Sequence, residues 1–130
     1  MKYIYNDGGR NKYFKGQAGD CVTRAIAIAT GIDYKEVYDT IKDLINHTAR
    51  NGLSKQETRD VMNHFGLTWH STMFIGGGCR CHLKEDELPN GTIICQVSHH
   101  CTTIIDGVIN DTFNPSRDGT RCVYGYWTLD

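Results

Sequence analysis

From Cys21 to Thr30 almost every position is apolar, and the run is closed by Gly31. A helix that is apolar on all sides is a buried one. Asp20 is a residue type that opens helices and Gly31 one that ends them. The run predicts a buried helix that begins at Cys21 and stops at Gly31. After it the period changes to a one-sided stripe, with Tyr34, Val37, Tyr38, Ile41, Leu44 and Ile45 recurring at three- and four-residue spacing to about Asn46. Asp33 and Glu36 stand in the Asp-x-x-Glu order of a capping box. Asn51-Gly52 reads as a turn. Ser54 and Glu57 form a second box ahead of Val61, Met62 and Phe65, with Gly66 as the stop.

Beyond Gly66 the helical period is gone. Leu67 to Ile75 predicts a strand, Gly76-Gly77-Gly78 a flexible break that could act as a lid, and His82 to Pro89 a short helical turn. Thr92–Val97 and His100–Ile105 predict strands. Asp106-Gly107 is a two-residue hairpin signal leading into a strand from Val108 to about Phe113. A loop at 114–119 and a strand at 121–127 close the chain. In residues 1–16, an N-terminal extension, Tyr3–Tyr5 predicts an edge strand, and Tyr13-Phe14 an anchor for the approach to the Cys21 helix. Helices first and strands afterwards predict one α+β domain over 1–130, the buried helix packed on a C-terminal antiparallel β-sheet.

Charge narrows the partners. With 14 basic and 15 acidic residues the formal net charge is -1, which argues against nucleic acid as a partner. No apolar run reaches the ~20 residues that cross a bilayer, so no membrane association is expected. The first ten residues hold no apolar signal core, so a cytoplasmic location is expected. In that setting Cys21, Cys79, Cys81, Cys95, Cys101 and Cys122 are expected as free thiols or metal ligands rather than disulfides.

The chemistry starts at Cys21. A thiol on the first turn of a helix meets unpaired backbone N–H groups and the positive end of the dipole, which favour its thiolate. A base is available at His99 or His100 and an orienting acid at Asp111. Parity chooses between the histidines. With Asp106-Gly107 as the turn, Ile105 opposes Val108, Thr103 opposes Asn110, Thr102 opposes Asp111 and His100 opposes Phe113. His100 and Asp111 then share one face as diagonal neighbours, roughly 7–8 Å apart at the backbone, while His99 and Cys101 face the other way. The expected reaction is attack of Cys21 on an acyl carbon, with His100 as base, Asp111 holding the ring, and a thioester intermediate. The oxyanion would lie against the Cys21 backbone N–H, with the side chain of Gln17 as candidate second donor.

The stretch Gly19-Asp20-Cys21-Val22-Thr23-Arg24-Ala25-Ile26-Ala27, together with residues 100–112 and the closing Gly119–Trp127, resembles the papain-like cysteine peptidase superfamily, in particular its small phage and bacterial members. The resemblance spans about residues 17 to 127. It implies a papain-like fold with a helix-borne nucleophile at Cys21, a strand-borne base at His100 and an acid at Asp111, acting on a peptide or protein substrate without a cofactor, in the host cytoplasm where the chain is phage-encoded. In larger papain-like enzymes the oxyanion glutamine lies further ahead of the cysteine than Gln17 lies from Cys21. The fold hosts peptidases, isopeptidases, amidases and acyltransferases, so reaction class is the safer expectation.

Two other readings compete. Cys79, Cys81, His82, Cys95, His99 and Cys101 offer ligands for a zinc module, although no pair has Cys-x-x-Cys spacing and adjacent strand residues face opposite ways. A catalytically silent papain-like domain that binds a partner is the other, with Tyr124, Tyr126 and Trp127 as its surface.

Overall fold

In the computed structural model, residues 1–16, 18–50 and 52–129 are described. Among them are six strands, β1 (Lys2–Tyr5), β2 (Leu67–Ser71), β3 (Thr92–Val97), β4 (His100–Ile105), β5 (Val108–Asp111) and β6 (Gly125–Leu129), and three helices, α1 (Cys21–Thr30), α2 (Tyr34–Ile45) and α3 (Lys55–His64). The strands form one sheet in the order β1-β5-β4-β3-β6-β2. The sheet is mixed, not purely antiparallel, because β1 joins β5 in parallel at the edge. The α+β class expected from the sequence is what the structure shows.

Alternation along the strands divides two cores. Ile94, Cys101 and Trp127 face the helices and pack with Ile26, Val37, Ile41 and Met62. Ile93, Cys95, Val97, Ile104 and Ile109 face the other way and are covered by Cys81, Leu83 and Val123. Because both faces are covered, β3 and β4 are buried along most of their length, polar His100, Thr102 and Thr103 included. Helix α1 lies over β4, where the Thr103 hydroxyl donates to the Ala25 carbonyl at 2.9 Å.

Local chemistry explains most boundaries. Ser54 and Glu57 form the full capping box of α3. At α2 the box is half-made: Asp33 accepts from the Lys35 N–H, and its aspartate also takes the Tyr13 hydroxyl. Asp106 and Gly107 have φ of 48° and 81°, the paired positive values of a type I′ hairpin. Four expectations are corrected. The strand from Leu67 ends at Ser71 rather than Ile75, since Phe74 and Ile75 are exposed. The last strand begins at Gly125, not Arg121; its approach is held by the isolated His82–Cys122 bridge. The strand from Val108 ends at Asp111 rather than at about Phe113. Cys79 and Cys122 are joined as a disulfide with Cα atoms 5.9 Å apart, so not all cysteines are free. The expected turn at Asn51-Gly52 lies partly outside the described residues.

Candidate active site

Cys21 is the first residue of α1 and lines a cavity of about 830 Å³ bounded by the starts of α1 and α3, the β3–β4 turn and Trp69 and Trp127. The N-cap is Asp20 by position only, because its side chain caps no N–H of α1. Its carboxylate is instead buried in a network. Asp20 accepts from Arg10 Nη1 at 3.1 Å and from the Tyr34 hydroxyl, and its Oδ1 lies 3.0 Å from Arg24 Nε. Arg24 spans to the other acid, its Nη1 donating to Asp111 Oδ1 at 3.3 Å and to the Thr112 hydroxyl at 2.5 Å. A charge inside a buried helix has to be paired, and here Arg24 ties the helix start to the end of β5.

The expected register holds, with Ile105 opposite Val108 and Thr103 opposite Asn110. It brings His100 Nε2 to Asp111 Oδ2 at 2.7 Å, a buried contact, with the Phe113 ring 4.9 Å from the imidazole. Nε2 being committed to Asp111, Nδ1 is the ring nitrogen left for Cys21. The Cys21 sulfur lies against both the His100 ring and the Cys101 thiol. Residue 99 is not on a strand: Ser98-His99 is the two-residue β3–β4 turn, and His99, at φ 56°, is exposed at the rim.

The titration behaviour follows. Hydrogen bonding from Cys101 and then from His100 outweighs burial and holds the Cys21 thiol down at about 4. On His100 burial favours the neutral ring, but Asp111 and then Cys21 override it and push the imidazole up to about 9. Asp111 is held below its ordinary value, its His100 bond overcoming the upward push of burial. Cys101 moves in the opposite direction to Cys21, well up, because it keeps the proton the two sulfurs share. Thiolate and imidazolium therefore coexist at neutral pH, beside the dipole of α1.

Two residues here were not assigned to this site from the sequence. Cys101 was expected to face away from the site; it does face the helices, and Cys21 sits on that side. Gln96 donates to the Val97 and His100 carbonyls at 2.8 and 3.1 Å and accepts from the Cys101 thiol at 3.1 Å. An S–H has one proton, so the bond from Cys101 to Gln96 and a bond to a Cys21 thiolate are alternatives. Gln17 lies outside the described residues. The Gly76–Gly78 segment does not line the cavity.

The zinc ligand set is dispersed. Cys95 is buried on the face opposite Cys101, Cys79 is disulfide-bonded, and among the described residues no three His, Cys, Asp or Glu side chains converge as metal ligands. The aromatic tail is divided too: Trp127 is core, Tyr126 stacks on His70, and Tyr124 borders the cavity. No helix among the described residues is long and apolar enough to cross a membrane. Comparison of the chain with protein-family models, curated proteins and solved structures returns no match.

Proposed function

We propose that the chain is a papain-like cysteine hydrolase, a peptidase, isopeptidase or amidase, working through Cys21, His100 and Asp111. The observation that carries this reading is the ordered contact Asp111–His100–Cys21, with Cys21 at a helix start and lining a cavity. The Cys21 thiolate attacks the acyl carbon, forming a C–S bond while the carbonyl electrons move onto oxygen. That oxyanion lies against the Cys21 backbone N–H. When the tetrahedral intermediate collapses, the C–N bond breaks and the His100 imidazolium gives its Nδ1 proton to the departing amine. The neutral ring, held in its Nε2–H tautomer by Asp111, then takes a proton from water as the water attacks the thioester. Cys21 leaves as thiolate, and the imidazolium is restored.

The first test is chemical. Near neutral pH iodoacetamide is expected to label Cys21 at least tenfold faster than Cys81, Cys95 or Cys101, which are buried thiols. His100→Ala should slow that labelling and abolish turnover of a panel of acyl and ubiquitin-like substrates. Equal labelling of all free thiols in the native protein, read by peptide mass mapping, would falsify the proposal.

A further inference from the structure

The walls of the cavity carry a one-sided charge. Among the described residues no aspartate or glutamate lines it, whereas Lys55, Arg59 and His99 do. Asp20 and Asp111 stand behind the wall, saturated by Arg10, Arg24 and His100. Glu57 is turned to His47 and Ser54. Lys55 and Arg59 are four residues apart on α3 and so lie on one face of it. Neither has a carboxylate partner among the described residues. Lys55 also stands on the first turn of α3, where the dipole disfavours a cation. Two unpaired cations in that position want an anion.

The remaining wall is apolar and aromatic. The Trp69 ring packs on Trp127, centroids 4.5 Å apart, yet stays partly exposed toward the cavity. It can lie there because residue 125 is glycine: a Cβ at Gly125 would come within 2.3 Å of the Trp69 ring. Leu53 and Phe113 extend this surface. The volume lies within the about 300–1,000 Å³ usual for ligand clefts.

We infer that the cavity selects acidic peptide segments, taking a bulky apolar side chain against Trp69 and a neighbouring aspartate or glutamate carboxylate between Lys55 and Arg59. This rests on the cysteine-hydrolase reading and names its substrate class. The juxtaposition of a thiolate, an aromatic platform and two unpaired cations in one carboxylate-free cavity carries it.

The test compares two peptidyl vinyl sulfones, identical except that one residue beside a phenylalanine is Glu in the first and Lys in the second. Cys21 adds to the vinyl carbon through sulfur and His100 protonates the carbon next to the sulfone, so labelling is read by intact mass. Exposed charge pairs are individually weak, so two together are expected to favour the Glu probe about three- to tenfold at low salt. That ratio should fall toward one near 1 M salt, where the screening length is about 3 Å. In Lys55→Glu/Arg59→Glu the ratio should invert. Equal rates for the two probes, or a ratio indifferent to both salt and the double reversal, overturns the inference while iodoacetamide labelling of Cys21 leaves the nucleophile standing. Iodoacetamide labelling with neither probe reacting overturns the peptide substrate class. Loss of selective iodoacetamide labelling as well brings down the hydrolase reading itself.

Discussion

The contact between Cys21 and His100 sets a pH window with two edges. The thiol, held down at about 4, becomes reactive as pH rises through that value. In the proposed reaction the imidazolium, pushed up to about 9, would supply the proton to the leaving group, and it is lost as pH rises further. Turnover is therefore expected to rise near pH 4, stay level and fall near pH 9, a broad bell in kcat/KM. The acid edge depends most on the Cys101 hydrogen bond, so Cys101→Ala should move it upward while leaving the alkaline edge in place. An unmoved acid edge in that variant would show that His100 alone acidifies the thiol. At this scale the sequence was most legible where a turn fixed parity: Asp106-Gly107 set which histidine meets Asp111. It was least legible at Cys101, whose value depends on which side of the sheet α1 covers, a tertiary fact that strand alternation does not contain.

Helix boundaries were readable because their signals are local. Cys21 to Gly31 and the Ser54–Glu57 box are written within four residues of the ends they define. The role of Asp20 was not, since a capping residue and a buried counter-ion look alike in one dimension. Arg24 was the available clue, a charge inside an otherwise apolar helix that required a partner. Asp20 is 2 % exposed and meets Arg10, Arg24 and Tyr34, residues from the N-terminal segment, α1 and α2. Removing one member of a buried ion network leaves its partners' charges uncompensated, at a cost of about 3–5 kcal/mol. Asp20→Ala is accordingly expected to lower unfolding stability by that order in urea titration. It should also slow alkylation of Cys21, because the helix start would lose its tether. A loss below about 1 kcal/mol would mean that the network is not what positions α1. Asp20→Asn, which keeps the hydrogen-bond acceptor but not the charge, should fall between the two.

Across the whole molecule the helices cover one face of the sheet and irregular chain covers the other. That second cover, contributed by residues around 81–88 and 122–124, has few backbone ladders of its own; it is fastened by the His82–Cys122 bridge and the Cys79–Cys122 disulfide. The disulfide was misjudged from the sequence because redox context was inferred from the first residues, and no local pattern brings together cysteines 43 positions apart. A covalent loop of that length restricts the unfolded chain by about 4 kcal/mol on loop-closure entropy, less whatever residual structure the reduced chain retains. Reduction with dithiothreitol, or the Cys79→Ser/Cys122→Ser variant, is thus expected to lower the urea midpoint clearly. Neither cysteine lines the cavity, so the iodoacetamide rate at Cys21 should stay within about twofold. If stability does not change on reduction, the second cover is held by its apolar contacts alone. If the Cys21 rate collapses with it, the two faces of the sheet are coupled, and the site cannot be treated as the property of α1, β4 and β5 alone.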